Sequence, residues 1–187
     1  GTINVGATAS GTESIGIYTD DINTPITTSG TINVGTSSYG VFGKNINMIG
    51  GTINIGDNGV GVYSTGPNVN VNGTINAGNN NAVGVYVEDG QAANESGKNI
   101  GVYDYNTSGS GTPSIGMIAK AASGKTAKVI NMGNIVADGE AIGMDIENDS
   151  IGENSGNITA KNREVSGVEF KSIGAYINGA NAKFTNS

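Results

Sequence analysis

The sequence contains no cysteine and no histidine, and these two absences exclude much of enzyme chemistry. Without cysteine, the chain has neither a disulfide framework nor a thiolate nucleophile. Without histidine, it lacks the residue that most often serves as general base and as metal ligand. We therefore expect a protein that is not an enzyme and that holds no cofactor and no metal ion.

Positive charge and long apolar runs are also scarce. The formal net charge is −7 at pH 7, which is the wrong sign for a surface that binds nucleic acid or anionic lipid. No run of about 18 apolar residues occurs, and the N-terminus lacks the basic and apolar regions of a signal peptide. We expect no nucleic-acid partner, no membrane insertion by this segment, and targeting parts that lie elsewhere in a longer protein.

A hexapeptide box recurs along the chain. It reads GTINVG at residues 1–6 and 30–35, GTINIG at 51–56 and GTINAG at 73–78, and degenerate copies begin at Gly133 and Gly156. The starts are separated by 29, 21, 22, 60 and 23 residues, so the basic period is about 22 residues with one expanded repeat. Periods of this length indicate stacked repeat architectures.

Two further segments accompany this box. A second box, aliphatic-Gly-aliphatic-aromatic, reads IGIY at 15–18, YGVF at 39–42, VGVY at 60–63 and 83–86, and IGVY at 100–103. Weaker copies surround Gly116, Gly143, Gly167 and Gly174. A third strand-like segment precedes the first box at 45–49, 68–72 and 128–132, and recurs at 183–187. Each repeat thus holds three short runs of alternating apolar and polar residues separated by turn residues.

These runs predict an all-β fold, a right-handed parallel β-helix with about 22 residues and three short strands per coil. A calcium-binding nonapeptide roll and a left-handed hexapeptide helix do not fit the spacings. We expect residues 1–187 to form a single segment with an irregular or loop-bearing region at about 88–128. The predicted inward-facing aliphatic residues are Ile3, Val5, Ile32, Val34, Ile53, Ile55, Val60, Val62, Val83 and Val85, and Ile75 extends the first ladder. Asparagines stacked in register should form amide ladders along the axis.

GTINVG followed by VGVY, with Asn-rich strands between, resembles the passenger repeats of monomeric (type V) autotransporter adhesins, most closely the giant outer-membrane adhesins of fusobacteria. The resemblance implies a virulence-associated segment on the extracellular side of the outer membrane, secreted through a C-terminal translocator barrel outside this chain. It also implies cell adhesion, with a host-cell receptor, a host glycan or a partner bacterial surface as ligand. We expect the chain to be an internal slice of such a passenger.

The second box supplies the candidate binding residues. If Val60 and Val62 face the core, Gly61 and Tyr63 face outward, and the equivalent rings stack on one side. The predicted stripe consists of Tyr18, Phe42, Tyr63, Tyr86 and Tyr103. It could contact a sugar or a protein partner, or its rings could simply pack on one another.

Three alternatives remain open at this stage. Six acids between Asp138 and Glu153 could chelate Ca²⁺ or could only solubilise an exposed face. Interrupting loops at 88–99 and 104–112 could bind a partner or act as spacers. The whole chain could be a structural spacer that projects a distal tip, whereas a polysaccharide-degrading β-helix enzyme is disfavoured because Arg163 is the only arginine and sits in a turn.

Overall fold

The computed structural model describes residues 1–9, 12–105 and 111–187, and every regular secondary-structure element within these ranges is a β-strand. No helix in these ranges is long and apolar enough to cross a membrane. The strands in chain order are β1 Thr2–Val5, β2 Ile15–Tyr18, β3 Ile26–Thr28, β4 Thr31–Val34, β5 Tyr39–Met48, β6 Thr52–Ile55, β7 Val60–Val71, β8 Thr74–Ala77, β9 Val83–Asn94 and β10 Asn99–Asp104. They continue with β11 Ser114–Ala119, β12 Ala127–Asn131, β13 Asn134–Gly139, β14 Ala141–Ile146, β15 Ile151–Asn154, β16 Asn157–Lys161, β17 Arg163–Val165, β18 Val168–Phe170, β19 Ile173–Ile177 and β20 Lys183–Asn186.

The first box forms one parallel sheet, which we call sheet A. Its strands lie in the order β1, β4, β6, β8, β10, β13 and β16. Equivalent residues of successive boxes pair directly, so that Ile32 lies beside Ile53 and Ile53 beside Ile75. This register keeps each box position on the same face of the sheet along the whole stack.

The second box and the third segment form the other large sheet, sheet B. The second-box strands lie in the order β2, β5, β7, β9, β11, β14 and β19, which we call limb 1. The third segments lie in the order β3, β5, β7, β9, β12, β15 and β20, which we call limb 2. The long strands β5, β7 and β9 belong to both limbs, so in these repeats two predicted strands are fused into one.

The three kinds of segment recur in a fixed order along the chain. A strand of sheet A is followed by limb 1 and then by limb 2, and the next strand of sheet A pairs in parallel with the previous one. The prediction of an all-β fold built from long parallel sheets is therefore confirmed. The antiparallel pair among the described strands is the hairpin β17–β18, which is inserted between β16 and β19.

One apolar core contains side chains from both sheets. The ladder of isoleucines from sheet A lies at its centre: Ile32 and Ile53 are 1% exposed, and Ile75, Ile100 and Ile135 are fully buried. Ile3 is 38% exposed because its strand β1 is at the edge of sheet A and has a paired strand on one side. The core is therefore a column of like side chains, in which each residue packs against its equivalents in neighbouring repeats.

The predicted asparagine ladders are present, and there are two kinds. On the outer face of sheet A, the side chains of Asn4, Asn33, Asn54 and Asn76 form successive hydrogen bonds of 2.7 to 2.9 Å. A second ladder, in limb 2, is formed by Asn94, Asn131, Asn154 and Asn186. Its first three members are buried. The ladder supplies hydrogen bonds that buried amides need, although Oδ1 of Asn94, at the end of the ladder, has no partner among the described residues.

Residues 88–128 contain more regular structure than the sequence suggests. Strand β9 continues to Asn94, and β10 and β11 lie within this region. The expectation of a loop at 88–99 is therefore wrong for most of that stretch. Residues 90–94 continue strand β9 and pair in parallel with β12. Of the second expected loop, 104–112, residues 106–110 lie outside the described residues.

Residues 100–103 read as a copy of the second box but lie in sheet A, so this sequence prediction is wrong. Ile100 pairs with Ile75 and Val102 with Ala77, so this segment occupies the place of the first box in sheet A. The two boxes share an aliphatic residue at alternate positions, and both Ile100 and Val102 point into the core. Alternation alone cannot distinguish the two boxes, whereas the pairing partners can.

Candidate interaction groove

The glycine of the second box faces the core, contrary to the prediction that it faces outward. A Cβ built on Gly61 would lie 2.7 Å from Cδ1 of Ile55 and 3.4 Å from Cγ2 of Ile53, two core side chains. Val62 is also fully buried in the core. Two consecutive inward residues break the strict alternation of a strand, and Val60 is therefore turned outward.

As a result, the first and fourth positions of the second box share the outer face of limb 1. Val60 and Val83 were predicted to face the core, and this prediction is wrong: they pack in a separate cluster with Ile115, Ile118 and Ile142, together with Tyr86. The inward prediction holds for Val62 and Val85, which are fully buried in the main core. The outer face of limb 1 thus carries two apolar rows side by side.

The aromatic row consists of the fourth positions of the box. Tyr18 pairs with Phe42, Phe42 with Tyr63, and Tyr63 with Tyr86. The rings of Phe42 and Tyr63 are parallel, with 4.8 Å between centroids and 6° between planes, and those of Tyr63 and Tyr86 have 4.8 Å and 4°. Tyr18 is tilted by 45° at 5.6 Å from Phe42. The expected stack at about 5 Å spacing is present for these four residues.

Tyr103 does not belong to this row. It lies in sheet A, where it pairs with Asp138, and it is 42% exposed on a different face of the molecule. The reason is that residues 100–103 pair with the first box in sheet A rather than with the second box in limb 1. The structure therefore brings together four of the five predicted residues, and the fifth cannot contact a ligand bound to the other four.

The row continues beyond Tyr86 with residues that the sequence analysis did not select. Tyr86 pairs with Ile118, Ile118 with Asp145, and Asp145 with Tyr176. These are the fourth positions of the weak copies around Gly116, Gly143 and Gly174. Reading those three copies in the same frame as the strong ones would have found all three residues.

The aliphatic row consists of the first positions of the box. It runs through Ile15, Tyr39, Val60, Val83, Ile115, Ile142 and Ile173. The Tyr39 ring packs edge-on against Phe42 and Tyr63, with centroids 5.8 and 5.4 Å apart. From Tyr39 to Tyr176 the two rows line an open groove of about 730 Å³, a volume typical of ligand-binding clefts. Tyr18 and Phe42 lie outside this groove.

Polar residues form the two rims of the groove. Asn58, Asn81 and Thr112 line one side, and Lys120 and Glu147 line the other. Nζ of Lys120 lies 2.8 Å from Oε2 of Glu147, and this ion pair raises the pKa of Lys120. An apolar floor between polar rims is the usual anatomy of a surface that binds a partner.

One tyrosine of the stack is fixed by a carboxylate. The hydroxyl of Tyr63 donates a hydrogen bond to Oε1 of Glu88. Burial of the ring, followed by this bond to the Glu88 carboxylate, raises the pKa of Tyr63 well above its usual value. The Tyr63 phenol is therefore neutral at every physiological pH and acts only as a hydrogen-bond donor to Glu88.

Asp145 is the one acid in the row. Its side chain is 7% exposed, and Oδ1 has no hydrogen-bond partner among the described residues. Burial, helped by the nearby Glu147 carboxylate, raises the pKa of Asp145 to about 6. Oδ1 of Asp145 is thus a buried acceptor without a donor among the described residues, which is unfavourable for the charged form of the carboxyl group.

The other acids of the run 138–153 do not gather at one place. Asp138 lies in sheet A and binds Arg163 at 2.8 Å, and Glu153 lies in limb 2 and binds Lys128 at 2.8 Å. The run spans about one repeat, so its members point in different directions around the molecule. Within ranges 1–9, 12–105 and 111–187, no three acids are close enough to hold a metal ion.

Comparisons with protein-family models, with curated proteins and with solved structures find no match. The groove presents stacked rings, aliphatic side chains, amides and the carboxylates of Asp145 and Glu147.

Proposed function

We propose that this chain is part of a right-handed parallel β-solenoid, with about 22 residues per coil, that is displayed on the bacterial surface as an autotransporter-type adhesin passenger. In this proposal the chain is not an enzyme, and it attaches to a host-cell receptor or to a partner bacterium through the groove of limb 1. The observation that carries the proposal is the groove: two apolar rows lie side by side on the outer face of limb 1 over several successive repeats.

The coil is supported by the register of sheet A. Hydrogen-bonded asparagines in neighbouring strands are 29, 21 and 22 residues apart in the first four repeats. Further along they are 35 and 23 residues apart. A solenoid with a basic coil of about 22 residues requires separations of this kind. They return to 21–23 residues and are longer where residues are inserted.

The binding role is supported by the exposure of apolar side chains. Soluble monomers rarely leave large contiguous apolar patches open to water unless these patches bind something. In the groove, Val60, Tyr63 and Tyr86 are partly exposed. Ile173 and Tyr176 are more exposed, at 41% and 42%, because β19 is the edge strand of limb 1. The net charge of −7 maintains solubility while this surface stays apolar.

A purely structural spacer is the second candidate, and one observation favours it. The parallel rings of Phe42, Tyr63 and Tyr86 cover one another's faces, so part of the aromatic row stabilises the stack rather than contacts a ligand. Because a spacer needs no groove, the two candidates predict different effects of substitutions in it.

The two candidates can be separated by attachment assays with beads that carry the 187-residue chain. For an adhesin, the parent beads attach to host cells or to other bacteria, and Val60→Lys in the groove abolishes attachment. Thr52→Lys is the matched control, since it adds the same charge on the outer face of sheet A. Beads that fail to attach, or that attach equally well with Val60→Lys, would support the spacer.

A further inference from the structure

The outer face of limb 2 carries a second concave surface, which shares no described residue with the groove of limb 1. It is an open cleft of about 390 Å³, near the lower end of the range for small-molecule sites. Five polar residues line it, and we call it the amide cleft: Asn47, Asn70, Asn72, Glu95 and Ser96. In the described part of the chain, its lining thus consists of three carboxamides, one hydroxyl and one carboxylate.

A long connector forms one wall of the amide cleft. Four residues, 95–98, connect β9 to β10, whereas two residues connect β7 to β8 and β12 to β13. The backbone N–H of Lys98 donates to the carbonyl oxygen of Glu95 at 3.0 Å and closes the connector into a turn. Neighbouring strands hold both ends of this turn. The N–H of Glu95 donates to the carbonyl of Val71 at 3.0 Å, and the N–H of Asn134 donates to the carbonyl of Lys98 at 2.8 Å.

The amides of the cleft differ from the other stacked asparagines of this protein. Asn47 pairs directly with Asn70 in the neighbouring strand, as the asparagines of the two ladders do. In the ladders, the side chains bond to one another at 2.6 to 2.9 Å. Within the described ranges, no side-chain hydrogen bond involves Asn47, Asn70 or Asn72. Because each carboxamide has two N–H donors and an oxygen acceptor, the cleft presents a dense array of free donors and acceptors.

The charge of the cleft limits the class of its ligand. Glu95 forms no ion pair with any described residue, so its carboxylate disfavours an anion. A divalent cation needs several oxygen ligands and usually more than one carboxylate, whereas Glu95 is the only acid in the described lining. The ligand is therefore neutral. It must also donate to the carboxylate, which only accepts hydrogen bonds, and exchange hydrogen bonds with the amides.

A peptide is the competing neutral ligand, and the surroundings of the cleft disfavour it. Extended peptides bind by adding a strand to an exposed sheet edge. Here β7 pairs with β5 on one side and with β9 on the other, so the strand in the middle of the cleft has no free edge. The described lining also contains no apolar side chain that could hold a side chain of a peptide. A sugar ring instead carries several hydroxyls, each of which donates and accepts.

We propose that the amide cleft binds a neutral saccharide. Asn70 and Asn72 bond to hydroxyls on one side of the sugar ring, and Glu95 accepts a hydrogen bond from another hydroxyl. This inference goes beyond the proposed function of the groove, since it adds a separate contact on limb 2. These hydrogen bonds replace hydrogen bonds to water, so each one contributes little net affinity. The cleft therefore binds a single sugar weakly and does not replace attachment through limb 1.

The test is an NMR titration of the ¹⁵N-labelled 187-residue chain. The probes are the methyl glycosides of glucose, galactose, mannose, N-acetylglucosamine and N-acetylgalactosamine. We expect at least one of them to cause saturable shifts of the backbone amides of Asn70, Asn72 and Glu95, while the amides of Val60 and Tyr86 in the groove do not shift. A sulfated form of the same sugar should bind about threefold more weakly or worse, because the sulfate is repelled by Glu95.

Two variants test the roles of the lining side chains. Glu95→Gln keeps the shape of the side chain without its charge. We expect affinity for the neutral sugar to fall about three- to tenfold, and the preference over the sulfated sugar should disappear. Asn70→Ala removes one carboxamide and should lower affinity about fivefold. Asn33→Ala, the same change on the outer face of sheet A, is the matched control and should leave sugar binding unchanged. Melting temperatures check that all three variants are folded.

Three outcomes would overturn the inference. The first is the absence of saturable shifts at the cleft with all five glycosides. The second is saturable binding of N-acetyl-glycyl-glycinamide at the same amides, which would assign the cleft to a peptide. The third is unchanged affinity in both Glu95→Gln and Asn70→Ala. Val60→Lys should leave sugar binding unchanged, so the amide cleft and the groove of limb 1 are tested independently.

Discussion

The side-chain amide of Asn131 donates a 2.7 Å hydrogen bond to Oδ1 of Asn154 in the next strand of limb 2, and both residues are buried. Asn131 also accepts from Nδ2 of Asn94, so it is the central rung of the inner ladder. Removal of a buried rung leaves polar atoms on both neighbours unsatisfied.

We therefore expect Asn131→Ala to lower the free energy of unfolding by about 2–4 kcal/mol, because each unsatisfied buried group costs about 1–3 kcal/mol. Asn33→Ala removes a rung of the outer ladder, where water can replace the lost partners, and should cost less than about 1 kcal/mol. Urea denaturation of both variants measures the difference. Equal losses would show that the inner ladder is not the stronger one.

The buried isoleucine column gives a second prediction. Ile53 is 1% exposed and lies between Ile32 and Ile75. Ile53→Asp places a carboxylate in the core without a partner and should unfold the chain, which circular dichroism would show as a loss of the β signal. Thr52→Asp introduces the same group on the outer face of sheet A and should leave the spectrum and the melting temperature nearly unchanged. A parent-like melt for Ile53→Asp would contradict the inward register.

The inward orientation of the second-box glycine can be tested directly. A Cβ on Gly61 would lie 2.7 Å from the carbonyl oxygen of Gly84, which is backbone and cannot move aside easily. Gly61→Ala should therefore destabilise the chain by about 1–3 kcal/mol, as overpacking does. At Gly50 the nearest atom would be 3.9 Å away, so Gly50→Ala should be neutral or slightly stabilising. Similar melting temperatures for the two variants would show that Gly61 faces outward.

Asp145 makes stability depend on pH in an unusual direction. Burial raises its pKa to about 6 from its usual value of 3.8, so between these values the folded chain binds more protons than the unfolded one. Stability from this group is therefore present at low pH and is lost as the pH rises toward 6. Asp145→Asn removes this contribution, while all other carboxylates remain.

The corresponding measurement is the melting temperature of the parent and of Asp145→Asn from pH 3.5 to 7. The parent should lose stability relative to the variant as the pH rises from about 4 to about 6, with no further relative change above pH 7. A constant difference over the whole range would show that Asp145 has an ordinary pKa in the folded chain.

The last prediction concerns the stacked rings. In the bead assay, replacement of Tyr63 and Tyr86 together by Ser should weaken attachment, since it removes two rings from the groove wall. It should also lower the melting temperature, because Tyr63 packs against Phe42 and its hydroxyl binds Glu88. Tyr103→Ser, on sheet A, is the control and should leave attachment unchanged. Equal effects of the double variant and Tyr103→Ser on attachment would show that the binding surface is not on limb 1.

The sequence by itself determined the repeating layout of this protein. The recurrence of GTINVG predicts parallel pairing of equivalent residues, and Ile32, Ile53 and Ile75 pair and are buried as expected. Stacked asparagines and a row of rings at Tyr18, Phe42, Tyr63 and Tyr86 follow from the same rule, because identical positions in a parallel stack lie one strand spacing apart.

Only the tertiary structure decided which way the second box faces and which sheet each box joins. A regular strand would place Val60 and Val62 on one face, but Gly61 packs against Ile55 and turns Val60 outward. Residues 100–103 match the second box in sequence, yet they pair with the first, which moves Tyr103 to another face. Both outcomes depend on contacts between repeats. Locally, a glycine can face the core or the solvent, and an alternating aliphatic pair fits either sheet. Only close packing against the neighbouring repeat selects the observed orientation and the observed sheet.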